Sequence, residues 1–414
     1  MRNFHHPSVA KQALPVAAIL VASLGYFVDI YDLLLFSIIR LPSLHALGLS
    51  GAKATSTGIF LLNVQMAGLL SGGIFWGILG DKKGRLNVLF GSILLYSVAN
   101  IANGLVTSVN GYALFRLIAG FGLAGELGAG VTLVVELMPA AKRGYATTMI
   151  AGVGIAGAVV AHFVAQYFDW RTAFFTGGGL GLCLLFLRIG LAESHLYTSI
   201  NAGNVIKGNF FSLFTDRERF RKYICCILIG LPLWFGVGIL ITLSPEFGRA
   251  LGTKGAINAG AAVACCYGGS VIGDILSGLL SQYLRSRIKV VAIFLTLTAV
   301  SIGAYLSLTD LSVSQFYFLC GCFGFSAGYW VLFLTIAAEQ FGTNIRSTVT
   351  TTVPNFVRGA VIPLSLLFQY LRVMFYGSLV SAGAVVGLLS LLLAFWALYR
   401  TRETFSVDLN YTEN

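Results

Sequence analysis

The sequence predicts an all-α polytopic membrane protein, with twelve transmembrane helices in two six-helix bundles. Three observations predict it. Of 414 residues, 57% are hydrophobic and only 10% charged, where a soluble domain carries roughly a quarter of its residues charged. Twelve apolar runs are each long enough, at about 20 helical residues, to cross about 30 Å of hydrocarbon. The longest polar stretch, 193–221, divides those runs six and six. A mean hydropathy of +0.84 and 49 glycines agree, because glycine lets apolar helices approach closely in lipid.

The first run, 14–39, is too long for a signal peptide and carries Asp29 and Asp32, so it is a retained helix. Runs two and three, 56–79 and 86–107, flank a short charged loop. The fourth, 111–136, contains Arg116 and Glu126, and the fifth, 144–167, contains His162 and Gln166. The sixth, 173–192, follows the pair Trp170-Arg171. After the polar stretch come 222–243 and 257–281, the latter with Tyr267, Ser270 and Asp274 on one stripe. Run nine is 288–309, and run ten, 314–337, holds Tyr329 and Trp330. Run eleven, 349–371, places Arg358 between Pro354 and Pro363, which loosen a helix and free carbonyls. Run twelve is 376–399. The domains expected are 1–192, a cytoplasmic linker with an interfacial helix over 193–221, and 222–414.

The net charge of +11 is read through its distribution. With the N-terminus inside, eighteen Lys and Arg fall in cytoplasmic segments and six in outer loops, which predicts both termini cytoplasmic. The charge then answers to topology and anionic lipid, not to nucleic acid. All seven cysteines lie in apolar stretches with no Cys-x-x-Cys and no His at ligand spacing, so neither a metal site nor a disulfide framework is indicated. An internal repeat supports two halves: Glu136 and Arg143 recur as Glu339 and Arg346, each seven apart, at an offset of 203.

The loop after run two, Gly77, Leu79, Asp81, Lys82, Gly84 and Arg85, matches the signature of the major facilitator superfamily, and the whole chain resembles that family. Run four, from Arg116 through Glu126 to Glu136 and Arg143, is similar to the sugar-porter and metabolite-proton symporter branches. The Tyr31-Asp32 pair resembles the sugar-porter tyrosine-aspartate, and the resemblance implies that Asp32 pairs with Arg116. It also implies that Gly77, Asp81, Gly84, Arg85, Glu136, Arg143, Glu339 and Arg346 form a cytoplasmic gate of inter-helix ion pairs. Leu86 and Ala124 depart from the sugar-porter pattern, which argues against a hexose porter.

An ionised side chain in hydrocarbon costs about 2.5–3.5 kcal/mol, so each one needs a partner, a cavity or a neutral form. Asp29 and Asp32, three apart beside Tyr26 and Gly25, are the first candidates, and Glu126 adds a third acid against one buried base, Arg116. This set suits proton coupling, or else a static network that fixes packing. Arg358 suits a substrate carboxylate or phosphate, or a permanent pair with Asp274. Tyr26, His162, Asn63, Tyr329 and Trp330 are further candidate liners. Two Gly-x-Gly-x-x-Gly strings and one Gly-x-Ser-x-Gly lie inside apolar spans, so neither cofactor nor enzyme is expected. The reading is a monomeric secondary transporter of a bacterial inner membrane, taking up a small polar solute with an anionic group together with H⁺. Its alternatives are a proton-coupled exporter of a siderophore or other hydrophilic compound, and a receptor or scaffold.

Overall fold

A computed structural model of the chain describes residues 16–138, 143–188, 208–405 and 407. Among these residues the regular structure is helical. Ten helical stretches are long and apolar enough to cross a membrane, and two shorter apolar helices complete twelve rods. The rods are α1 (Val16–Ala46), α2 (Gly51–Lys83), α3 (Arg85–Gly104), α4a (Val109–Leu123) with α4b (Glu126–Leu137), α5 (Arg143–Tyr167) and α6 (Trp170–Leu187). In the second half they are α7a (Arg217–Ile229) with α7b (Leu231–Phe235), α8 (Ala259–Leu284), α9 (Arg287–Ser307), α10a (Val313–Ser326) with α10b (Trp330–Gln340), α11a (Arg346–Gly359) with α11b (Val361–Met374), and α12 (Leu379–Arg400).

Polar residues beside the apolar runs set the helix starts. Ser108, Asp169, Asn258, Ser286 and Ser378 each accept a backbone N–H of the first turn of α4a, α6, α8, α9 and α12, and Ser312 with Gln315 forms a capping box on α10a. Four rods are interrupted. Rod four breaks at Ala124–Gly125 and rod ten at Ala327–Tyr329, an equivalent place at the same offset of 203 as the repeat. Rod seven continues as a π turn, Gly236–Ile241, and then a short helix, Ser244–Ala250.

Part of the expected linker, 193–207, lies outside the described residues. From Gly208 the chain bonds to Asn344 O (3.0 Å), and Phe210 packs on Phe356 of α11a. The stretch expected on the membrane surface is thus partly docked on the protein, and α7a already begins at Arg217.

Between the halves, α2 runs against α11a and α5 against α8. These two pairs of rods enclose the centre of the molecule, with one end marked by Asp81 and the other by Glu246.

Candidate functional site

A small cavity of about 30 Å³ lies between the halves, lined by Tyr26 of α1, Trp234 of α7b, Tyr267 and Asp274 of α8, Trp330 of α10b and Arg358 of α11a. Arg358 is buried, and its Nη2 donates to Asp29 Oδ2 across the interface at 3.2 Å. Its guanidinium stands 5.7 Å from the ring centres of both Trp234 and Trp330, an arrangement that stabilises the cation through the ring faces. The expected alternative of a permanent Arg358–Asp274 pair is therefore corrected. Asp274 lines the same cavity, but the ion pair runs to α1, because α1 and α11a face each other across the centre. The pair is held by one hydrogen bond, which leaves Asp29 Oδ1 and Arg358 Nε without partners.

Other expected liners are placed elsewhere. The Tyr329 hydroxyl donates to Ile229 O (3.0 Å), away from the cavity. Asn63 Oδ1 accepts from Ser365 Oγ (3.2 Å), joining α2 to α11b. His162 packs beside Phe163 and opposite Gly260 of α8, outside the cavity lining.

Inside the N-terminal half the implied pairing of Asp32 with Arg116 is not formed. Arg116 donates to Gln65 Oε1 and lies 4.7 Å from the Phe36 ring centre. Both carboxylate oxygens of Asp32 are without hydrogen-bond partners among the described residues, and Gly177 of α6 is small enough to admit them. Glu126 is bound by Arg188, with Nη1 to Oε2 at 3.0 Å and a second contact from Nη2. Arg188 also donates to Leu89 O (2.6 Å) and is fully buried. Arg116 is thus not the single buried base of this half. Arg188 lies near the end of the sixth apolar run and just past α6, and Gly25 leaves the space in which it meets Glu126.

At the Asp81 end, Asp81 accepts from Ser347 N (3.1 Å), Thr348 N (2.8 Å) and Thr348 Oγ1 (2.6 Å). It caps the N-terminus of α11a in the other half, where backbone donors and the helix dipole favour a negative charge. Arg85 lies 3.7 Å from Asp81, and Gly84 links α2 to α3 at φ 98°. A Cβ at Gly77 would stand 3.0 Å from Thr348 Cα, and one at Gly73 would stand 3.0 Å from Asn355 Cβ. Glu339 pairs with Arg287 (3.1 Å) and accepts from Thr404 Oγ1 (2.8 Å), while Arg346 Nε donates to Ala338 O (3.1 Å). Among the described residues this end joins a helix cap and close helix packing to the Arg85–Asp81 and Arg287–Glu339 ion pairs. The side chains of Glu136 and Arg143 lie outside the described residues.

The Glu246 end carries a contact that sequence reading missed. Arg40 Nη2 pairs with Glu246 Oε1 at 3.0 Å, and its stem passes over Gly58. Arg40 had the look of an outer-loop cation because it follows the apolar run, whereas α1 extends to Ala46. Beyond the pair, a vestibule of about 890 Å³ opens between the halves.

A family model described as Major Facilitator Superfamily matches residues 18–366. The chain belongs to this superfamily. A protein of Haemophilus influenzae described as a metabolite transporter is 28% identical over 382 residues, covering 85% of this chain and 89% of that one. A gentisate transporter of Corynebacterium glutamicum is 25% identical over 359 residues, covering 80% and 76%. Among solved structures, the proton:xylose symporter XylE bound to 6-bromo-6-deoxy-D-glucose superposes with a TM-score of 0.73 at 16% identity, covering 97% of this chain and 98% of that one. The facilitator is an integral membrane protein of twelve helices and a secondary transporter of small molecules, not an enzyme. Its central cavity lies between two sets of contacts joining the halves, Asp81 on α11a and Arg40 on Glu246.

Proposed function

We propose that the facilitator takes up a small organic acid, with a ring and one carboxylate, in symport with H⁺ by alternating access. The observation that carries this reading is the half-satisfied Arg358–Asp29 pair between two indoles. A guanidinium offers a planar fork that a carboxylate fills with two parallel hydrogen bonds, and tryptophan faces suit a flat ring. The gentisate transporter among the relatives carries a substrate of that chemistry.

The coupling follows from the exchange of anions on Arg358. A substrate carboxylate that takes both arms of the fork displaces Asp29, and a carboxylate left without its cation in the membrane interior is costly. Asp29 then takes a proton, so binding and protonation go together. In this reading the Asp81 end and both termini are cytoplasmic, the Glu246 vestibule faces outward, the protein works as a monomer in a bacterial inner membrane, and the two six-helix halves divide at the 193–221 linker.

The test is uptake into proteoliposomes with an imposed pH gradient, offering hydroxybenzoates and pyridine carboxylates against neutral sugars. Concentrative uptake of an aromatic acid is expected. Arg358→Lys keeps the charge but loses the fork, which weakens binding by about 1.5–3 kcal/mol, roughly ten- to hundredfold in Kd. Uptake confined to neutral sugars, or unchanged in Arg358→Lys, rejects the reading.

A further inference from the structure

The N-terminal half contains a buried polar seam that the substrate cavity does not use. On α3, Ser92, Tyr96, Asn100 and Asn103 recur every three or four residues and so share one face. All four are fully buried, and Ser97 beside them is too. Ser92 Oγ, Tyr96 OH, Ser97 Oγ, both side-chain polar atoms of Asn100 and Asn103 Oδ1 have no hydrogen-bond partner among the described residues. Neither have both oxygens of Asp32, nor Arg116 Nε and Nη1, nor Gln65 Nε2.

These groups are contiguous. Asn100 lies beside the Asp32 carboxylate, and Asp29 stands three residues before it on α1. Tyr96 packs on Gly122 of rod four and Gly181 of α6, Ser92 packs on Gly125 next to Glu126, and Arg188 donates to Leu89 O of α3. Asp32 and Ser97 lie against Gly177 and Gly181, one turn apart on α6. The seam therefore runs inside the bundle of α1, α3, α4 and α6, from Asp32 and Asn100 to the Glu126–Arg188 pair towards the Asp81 end. Its titratable and charged walls are Asp29 and Asp32 from α1, Tyr96 from α3, Arg116 and Glu126 from rod four, and Arg188 just beyond α6.

A buried polar group without a partner costs about 1–3 kcal/mol, and native interiors leave few of them. So many on one helix face is a pattern that ordered water relieves, since a buried water makes two to four hydrogen bonds to such groups. We propose that the α3 seam holds a chain of bound water through which Asp32 and Asp29 exchange protons with the Asp81 end, separately from the substrate cavity.

In this route a proton leaves an aspartic carboxyl as hydrated H⁺ and leaves the carboxylate behind. Tyr96, with one donor and two acceptor positions, accepts a proton from one water as it gives its own to the next, and so ends unchanged. The route rests on the proton coupling proposed above and adds that ion and solute travel apart.

Two readouts test it. X-ray hydroxyl-radical footprinting of the full-length protein in nanodiscs oxidises side chains that touch bound water. Tyr96 is expected to be labelled despite its full burial, and the label to fall at least about tenfold in Asn100→Leu, which keeps the side-chain shape but removes the polar atoms. An unlabelled Tyr96 means a dry seam and overturns the proposal.

In proteoliposomes, Tyr96→Phe and Asn100→Leu are expected to keep substrate counterflow within about twofold while accumulation driven by a pH gradient drops by about tenfold or more. If the wild type accumulates substrate without a pH gradient's help, the coupling reading fails and the route goes with it. If the wild type is coupled and both variants stay equally coupled, the route alone is overturned. A loss of counterflow in both variants, with folding intact by thermal shift, places the seam in solute passage instead and also overturns the proposal.

Discussion

At the Glu246 end the halves meet through the Arg40–Glu246 ion pair and two long hydrogen bonds, Arg40 Nη2 to Thr242 O and Thr242 Oγ1 to Ser37 Oγ (both 3.4 Å), beside a vestibule of about 890 Å³. At the Asp81 end they meet through three hydrogen bonds from the first turn of α11a to one carboxylate. There Gly77 of α2 also lies against the α11a backbone and Gly73 and Gly80 against its side chains, Asn355 Nδ2 donates to Ala124 O at 2.8 Å, and Thr132 touches Thr350 at 2.5 Å. The first closure is a small polar cluster beside open space, with one short contact between two long side chains and longer ones at Thr242. The second is an interface of small residues at packing distance, which reopens only by moving whole helices. The contrast teaches that the two ends need not open equally easily, and that the Asp81 end holds the larger share of the free energy joining the halves.

The largest test removes the cap. Asp81→Ala leaves the α11a backbone donors without their carboxylate and removes the Arg85 counter-charge in a buried setting, so the Asp81 end is expected to lose about 3–5 kcal/mol of closure. Spin-label distances across that end should lengthen, and uptake should fall to background. Unchanged distances would make the two ends equivalent.

Gly77→Ala keeps every charge but puts a methyl 3.0 Å from Thr348 Cα, an overpacking cost of about 1–3 kcal/mol. It should open the same end by a smaller amount, and an equal population of closed protein in the variant would show that α2 yields there. Glu246→Gln is expected to release the opposite end by about 1.5–3 kcal/mol at most, raising labelling of a cysteine placed in the vestibule while leaving the Asp81 end closed. Opening of both ends together would mean that the closures are coupled.

The smallest effect concerns the C-terminal segment near Glu339. Burial alone would raise the Glu403 carboxyl, but hydrogen bonds from Ser286 and from the backbone N–H groups of Arg287, Phe405 and Ile288 hold it below the ordinary carboxylate range. A depressed folded-state value gives stability that is present above the unfolded value, about 4.3, and lost as pH falls through the folded one. Tm should therefore be flat from pH 7 to 5 in this respect and decline below. Glu403→Gln should remove part of the decline, which a pH series of thermal shifts would measure.

Much of the architecture was legible because hydrocarbon imposes it locally: each rod had to be an apolar run, and Gly77, Asp81 and Arg85 stood out as a pattern within a few residues. Partners across the centre were not legible. Arg358 lies 329 residues from Asp29, and nothing in either run says which rods face each other, so Asp274 had an equal claim. Arg188 and Arg40 were passed over for a different reason: each stands near the end of an apolar run or just beyond it, where snorkelling to water is the usual fate of a long cation. Their inward course is set by Gly25 and Gly58 on other helices. The interruption of rod four was hidden because alanine and glycine continue an apolar pattern without marking a break.

That interruption and its counterpart in rod ten set an angle. An α-helix turns through about 100° per residue; Ala124 and Gly125 keep near-helical dihedrals between α4a and α4b, whereas Tyr329, at φ −117° and ψ 13°, leaves them between α10a and α10b. The bearing of everything beyond each joint, Glu126 towards Arg188 in one half and Trp330 towards Arg358 in the other, is fixed at the joint. Deleting one residue there would swing the downstream segment by roughly a quarter turn and carry Glu126 or Trp330 off its partner without altering a single side chain of either site.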